Sequence, residues 1–364
     1  MSSLQDQKAV LIVGGYGIVG TQIASILRQR HPKIRLIIAG RDANKAKQFA
    51  ETLGYAEGVA MDATKVSQIS PLHGKLAAVV TATNDLNNYV LLDTIANHIP
   101  YIDVTRWTAQ LKQAIVRIAS ENITQPVILS SAWMAGTAAL LAKKVSQQFS
   151  IVDTLDIDIL FSLKDKAGPN SIDYIDQLGT PYDVFDGGNI RTVKPMTEPK
   201  YVDFDSGLST NTFRFDTPDQ LTLPISSSAN SVSARIAYDD KYSAGLLSFL
   251  VRSGLWRIIN RPLFKKFRHS LLYNPGEGGP HEVLVTVIGK GTDGSPKTVR
   301  ATLLDDQGQT HLTALGGVIQ IERALSIAGN SGIHSGVTFP ERHEDVDIAL
   351  ATLQEHGVRV SIEG

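Results

Sequence analysis

The chain has 364 residues, long enough for two domains with full cores, and its 43% hydrophobic and 20% charged content is ordinary for a globular protein. The absence of cysteine excludes disulfides, thiolate nucleophiles and Cys-ligated zinc or iron–sulfur centres. With 35 basic and 36 acidic residues, a nucleic-acid binder working through bulk charge is excluded too. Met1 to Gln7 are polar, with no apolar run behind a basic start, so a cytoplasmic protein without a secretory signal is expected.

The first element, Ala9 to Val13, is a continuous apolar run, the pattern of a central parallel strand buried on both faces. Gly15, Gly17 and Gly20 then complete G-x-G-x-x-G. The first glycine permits a tight turn, the second a close approach of pyrophosphate to the backbone, and the third close packing of the next helix. That helix is expected over Ile18 to Arg30, with Ile23, Ile26 and Leu27 toward the sheet, and its N-terminus offers free N–H groups to a phosphate. Gly14, Gly15, Tyr16, Gly17, Ile18 and Val19 are therefore the expected dinucleotide cradle.

The second strand, through Leu36, ends in Gly40-Arg41-Asp42. A site for NAD places an acid at this edge for the ribose 2′-hydroxyl, whereas a site for NADP needs a small residue and a cation for the 2′-phosphate. Gly40-Arg41 fits NADP(H), because a guanidinium pairs with phosphate while its flat face covers adenine. Asp42 stands one residue late for the ribose and can equally cap a helix beginning near Asn44. Lys45 is either a second phosphate cation or a solvated helix lysine.

Alternation continues with a helix from Asn44 to Leu53, then a strand over Val59 to Ala63 whose Asp62 would stand beside the adenine. A fourth strand over Ala77 to Thr83 brings Ala82, Thr83, Asn84 and Asp85 to the carboxyl edge, facing the cofactor. Helices near Asn88 to Asn97 and Ala109 to Ser120 flank a fifth strand over Tyr101 to Thr105, and Pro126 to Ser130 makes the sixth. Six strands with helical crossovers describe an α/β fold of Rossmann type, a doubly wound parallel sheet.

Four motifs, Gly-Gly-Tyr-Gly-Ile-Val-Gly at 14 to 20, Ala-Gly-Arg-Asp at 39 to 42, Tyr-Ile-Asp-Val-Thr at 101 to 105 and Gly336-Val-Thr-Phe-Pro-Glu341, resemble those of the saccharopine dehydrogenase-like oxidoreductases. The resemblance implies hydride transfer to or from a C=N or C=O bond of a small amino-acid-derived or carbonyl substrate. It also implies that residues 313–364 return to pack on a first domain of residues 1–134.

Residues 135–312 read as a second, α+β domain on a mixed or antiparallel sheet. Thr154 to Ser162 alternates, with Leu155, Ile157, Ile159 and Phe161 on one face and Asp156 and Asp158 on a solvated one. Further strands are expected over Thr212 to Phe215, Ala234 to Tyr238, Glu282 to Ile288 and Thr298 to Leu304, the last two joined by a turn-rich loop. Helices are expected over Ala314 to Ala328 and Asp345 to Glu355. From Lys241 to Gly276 there is no acid, while Lys241, Arg252, Arg257, Arg261, Lys265, Lys266 and Arg268 stand among large apolar residues. Three readings are open there: helices packed in the core or at the interface of a homodimer, contact with an anionic membrane surface, or binding of an anionic substrate.

Hydride transfer needs a proton donor beside the nicotinamide. Asp103 and Tyr101, at the end of the fifth strand, and Tyr174, in a polar loop with Asp173, Asp176 and Thr180, are the catalytic candidates; Asp103 can instead cap the next helix or bond the sheet end. Arg106 is the candidate clamp for a substrate carboxylate. His281 and His334 are weaker acids, each with a structural alternative. The nine histidines are scattered, His343-Glu344-Asp345 reads as the polar start of the last helix, and no metal site is expected. Two rivals stand beside the soluble enzyme: a non-catalytic NADP-binding sensor or scaffold, and a membrane-surface reductase of a lipid-like substrate.

Overall fold

The computed structural model describes residues 8–165, 176–240, 242–264 and 278–364. The chain forms two compact units, Met1–Thr137 with Thr313–Ala349, and Ala138–Leu312 with Leu350–Gly364.

In the first unit the order is β1 (Ala9–Val13), α1 (Ile18–Arg30), β2 (Arg35–Gly40), α2 (Ala43–Leu53), β3 (Ala56–Ala60), β4 (Leu76–Thr81), α3 (Tyr89–Ala96), β5 (Tyr101–Asp103), α4 (Thr108–Ile118) and β6 (Pro126–Leu129). Every pairing is parallel, in the spatial order β6-β5-β4-β1-β2-β3, which is a doubly wound sheet. A seventh parallel strand, Gly336–Thr338 (β15 in the full count), adds beyond β6. β1 is buried along its whole length because sheet neighbours and crossover helices cover it, and α1 turns Ile23, Ala24 and Leu27 inward.

The C-terminal return to this unit is held by close approach and by charge. In the helix Gln309–Ala324 (α9 in the full count), a Cβ on Gly316 would lie 2.7 Å from the Met134 carbonyl oxygen, so only glycine fits without displacement. Further along, the buried Glu322 carboxylate accepts from Arg30 Nε at 2.6 Å and pairs with His31 Nε2 at 2.6 Å. These contacts tie the end of α9 to the end of α1.

The second unit receives α5 (Thr137–Ser146) and builds a mixed seven-stranded sheet. Its strands are β7 (Phe149–Phe161), β10 (Lys200–Asp203), β11 (Ser209–Arg214), β12 (Ser231–Tyr238), β13 (His281–Gly291), β14 (Pro296–Asp305) and β16 (Arg359–Glu363), ordered β10-β11-β12-β7-β13-β14-β16. β12 runs parallel to β7 and the other pairs are antiparallel. A separate hairpin joins β8 (Tyr182–Asp186) to β9 (Asn189–Val193), and helices α6 (Asp219–Ser227), α7 (Ser243–Arg252), α8 (Leu255–Ile259) and α10 (Val346–Glu355) complete the numbering.

Several expectations are corrected. The third strand lies three residues earlier than expected, over Ala56–Ala60, because it pairs in register with Leu36–Gly40 and the chain leaves the sheet before Asp62. The Asp156 and Asp158 face is not solvated. The β10–β11 hairpin lies across it, with Val202 and Phe204 packed on Leu160, Ala237 and Leu284, and Lys200 Nζ reaches Asp156 at 2.9 Å and Asp158 at 2.8 Å. Lys200 and the hydrogen bond from the Ser233 hydroxyl hold the Asp156 carboxyl below its ordinary range against the opposing effect of burial. The hairpin's turn is anchored as well, since Glu282 accepts the backbone N–H groups of Asp205 at 2.7 Å and Ser206 at 3.2 Å. Finally, the return of residues 313–364 is divided: the last strand, β16, hydrogen-bonds to β14 in the second sheet.

Candidate functional site

The carboxyl ends of the parallel strands stand in one row, since Val13 pairs with Thr81, Thr81 with Asp103, and Asp103 with Leu129. Just past β1, Gly14 has a φ of +80°, and a Cβ there would lie 3.0 Å from both the Ala82 carbonyl oxygen and the Thr83 side chain. A Cβ on Gly20 would overlap the Gly14 carbonyl, so α1 can start this close to the strand only with glycine. Gly17 is different. It is exposed, and a Cβ there would meet only the Gly14 carbonyl at 3.1 Å, leaving open space before α1, whose N-terminus has no capping side chain. An uncapped helix start behind a glycine turn fits a pyrophosphate, which the N–H groups of Ile18 and Val19 would hold, those of Gly15 and Gly17 being already donated to the Ala39 and Gly14 carbonyls.

The ring of Tyr16 spans from this turn to the end of β2. Any Cβ on Gly40 would overlap it, and its hydroxyl accepts the Asp42 N–H at 3.0 Å. Asp42 in turn caps α2, its Oδ1 accepting from the N–H groups of Asn44 at 2.9 Å and Lys45 at 3.2 Å. Arg41 and Lys45 are exposed at the same edge. Asp62 sits in a turn of its own, accepting from the Thr64 hydroxyl at 2.7 Å and N–H at 3.0 Å. The Thr64 hydroxyl holds its carboxyl below the ordinary range, and the charge of Arg41 adds a smaller push in the same direction.

The other half of the row is a buried ionic network. Arg106 Nε donates to Asp103 at 2.7 Å, Nη1 to Asn88 Oδ1 at 2.6 Å, and Nη2 to the Tyr101 hydroxyl at 3.1 Å, with Asp85 Oδ2 at 3.5 Å. The Tyr101 hydroxyl also meets Thr81 Oγ1 at 3.0 Å, and the Ser131 hydroxyl donates to Asp103. Burial pushes the Asp103 carboxyl up, partly offset by Arg106, and pushes the Tyr101 hydroxyl up as well. Burial opposes the Arg106 charge, but Tyr101 and Asp103 beside it outweigh that and hold its pKa above the ordinary guanidinium value. Asp85 does not face outward as expected: Oδ2 accepts the Leu91 N–H at 3.0 Å, and its other oxygen is buried without a hydrogen-bond partner.

The structure thus brings Tyr101, Asp103 and Arg106 together, but inside the unit. With all three guanidinium nitrogens bonded internally and Arg106 3% exposed, it is not presented as a clamp for a carboxylate. Tyr174 and Asp173 lie outside the described residues, while Asp176 and Thr180 flank a short 3-10 turn, Gln177–Gly179. His281 is buried against Phe161, and burial pushes its imidazole down to about 3; His334 is exposed. Among the described residues no group of three or more His, Asp or Glu gathers for a metal, and no helix is long and apolar enough to cross a membrane.

Two features of the edge escaped sequence reasoning. Asn88 and Asp85 belong to the Arg106 network, and an Asp-x-x-Asn ahead of a helix was the available signal. Met134, Ala135 and Gly136 have φ values of +51°, +53° and +87°, with the Ser130 hydroxyl bonded to the Ala135 carbonyl at 2.7 Å. Two non-glycine residues in the left-handed region leave no sequence signal.

Fold and edge define an α/β protein of the doubly wound, Rossmann-type class with a second mixed sheet. Saccharopine dehydrogenase (L-Glu forming) from Saccharomyces cerevisiae is similar in structure across 98% of this chain and 100% of that chain, with a TM-score of 0.68 at 14% identity. The fold is therefore saccharopine dehydrogenase-like. Weaker similarities include a meso-dapdh mutant from Clostridium tetani (TM-score 0.47, 12% identity, 95% of each chain) and GenD2 from gentamicin A biosynthesis in complex with NAD (TM-score 0.45, 12% identity, 100% of this chain and 98% of that one). No protein-family model matches the chain, and no curated protein matches it in sequence.

Proposed function

We propose that the protein is an NADP-dependent oxidoreductase that transfers hydride to or from a C=N or C=O bond of a small amino-acid-derived or carbonyl substrate. The observation that carries the cofactor choice is the pairing of Asp42 with the start of α2. Its Oδ1 accepts two backbone N–H groups and holds the carboxylate at the start of α2, so the edge beside Gly40 offers an exposed guanidinium where a ribose-binding acid would otherwise stand. Bound there, the cofactor would supply a hydride from its nicotinamide. The chain's own residues would do the rest. The turn of Gly14 to Gly17 leaves room for the pyrophosphate, the N–H groups of Ile18 and Val19 hold it, Tyr16 shapes the adenosine side, and Arg41, with Lys45 nearby, pairs with the 2′-phosphate. Ala82, Thr83 and Asn84 line the way toward the nicotinamide.

In this reading Asp103, Tyr101 and Arg106 are positioning residues. Their network fixes the loops after β4 and β5 and the start of α3, which border the reacting end. A second reading, a non-catalytic NADP-binding sensor, draws on the same internal pairing, because it leaves those three groups without a proton to hand to substrate.

Arg41→Ala should weaken NADPH binding by roughly 1 to 3 kcal/mol, the range for a charged hydrogen bond, and leave NADH binding nearly unchanged. Calorimetry with both cofactors checks this, and equal losses overturn the NADP assignment. Turnover across keto acids, amino acids and imines separates the two readings: NADPH bound but never oxidised favours the sensor.

A further inference from the structure

The surface of residues 242–264, in the second unit, is built the wrong way round for water. Tyr242, just before α7, and Leu246 and Phe249 on it stand at the i, i+4, i+7 spacing of one helical face, and that face is exposed while Ala244 and Leu247 point inward. Leu255 and Ile258 on α8 continue it, as do Leu263 and Phe264 in the 3-10 turn that follows, with Leu263 87% exposed. Seven of the twenty exposed large apolar side chains among the described residues fall in these twenty-three positions, so this is a patch and not the scatter normal for a protein surface.

Within residues 242–264 the charges have one sign, while Asp240, just before them, is committed to the N–H groups of Tyr242 and Ser243 at the start of α7. Arg252, Arg257 and Arg261 are exposed and residues 242–264 contain no acid. A groove of about 670 Å³ opens beside Phe249, and Arg252 is the charged residue in its lining. A second copy would be a poor cover, because a two-fold interface buries the same patch on both copies and residues 242–264 bring three arginines and no acid to pair with them. A nucleic acid would leave the aliphatic tips unsatisfied. Apolar tips ringed by cations suit an anionic bilayer, where the arginines reach lipid phosphates and the apolar side chains enter the acyl boundary.

We propose that the face formed by α7, α8 and the Pro262–Phe264 turn docks the protein onto an anionic lipid membrane surface. The contact is interfacial and reversible, made by side chains already exposed, and it is independent of the cofactor reading.

The test is flotation of the purified full-length protein with phosphatidylcholine vesicles, with and without phosphatidylserine. The protein should float only with the anionic vesicles and be released by added salt, because exposed charges are screened. Leu246→Glu/Phe249→Glu should abolish flotation, and Arg252→Glu/Arg257→Glu should weaken vesicle binding by at least roughly tenfold, given the contribution of each basic residue near an anionic surface. All four side chains are exposed, and unchanged circular dichroism will show that the variants remain folded. Failure of the wild type to float, or equal flotation with neutral vesicles, overturns the proposal. So does a dimer in sedimentation that Leu246→Glu/Phe249→Glu converts to monomer, since a second copy would then cover the face.

Discussion

The hydroxyl of Tyr16 accepts the backbone N–H of Asp42 at 3.0 Å, so the glycine turn after β1 and the end of β2 are joined by a side chain. The ring can lie there only because residue 40 is glycine. Gly40 therefore admits the tyrosine that shapes this edge.

Gly40→Ala should force the Tyr16 ring away from β2 and cost about 1 to 3 kcal/mol, the usual range for overpacking. Tyr16→Phe removes only the hydrogen bond to the Asp42 N–H and should cost about 1 kcal/mol or less. Urea unfolding of both variants measures the difference. A Gly40→Ala protein as stable as wild type would mean that the ring is not confined as described.

The Asp103–Arg106 pair should behave as a unit. Arg106→Gln leaves a buried carboxylate without its guanidinium and should destabilise the protein by about 3 to 5 kcal/mol. In an Asp103→Asn background the same substitution should cost less, because one of the two buried carboxylates beside the guanidinium is then neutral while Asp85 remains. A double-mutant cycle by chemical denaturation checks this, and additive losses would argue against direct coupling.

Stability should fall on the acid side of neutrality, and His281 gives the sign. Burial depresses its pKa to about 3, against about 6.5 for an exposed imidazole, so as pH falls the unfolded chain binds the proton first. The stabilisation is complete above about pH 6.5 and is lost as pH falls toward 3, at roughly 1.4 kcal/mol per pH unit. His343, which burial and Arg323 lower to about 4, acts in the same direction over a narrower window. His281→Phe keeps a ring against Phe161 and should make the decline between pH 6 and 4, measured by thermal unfolding across that range, shallower by about one proton. An unchanged slope would show that this imidazole does not set the acid limb.

The first unit was largely legible because its signals are local. An apolar run, a glycine turn and a 3.6-residue period lie within thirty residues of one another, and they act through backbone geometry that each segment carries by itself. Strands β1, β2 and β4 lie within two residues of where the sequence places them. The hairpin of β8 and β9 was legible but missed: Asp186-Gly187-Gly188-Asn189 is a two-glycine turn signal, and both glycines have positive φ.

The sequence by itself determined the doubly wound sheet, the glycine cradle and the presence of Arg41 at the end of β2, since each depends on neighbours in the chain. Tertiary structure decided which charges are free. Asp156 and Asp158 are buried because Lys200, more than forty residues later, folds over them, and Arg106 is occupied because Asp85 and Asn88, from the turn before α3, and Tyr101 and Asp103, from β5, converge on it. Such pairings cross long loops and turn on which side chain is nearest once the sheets have formed, which no local pattern encodes. The same holds for residues 242–264: periodicity showed apolar helices, and only the packing showed which apolar side is left facing out.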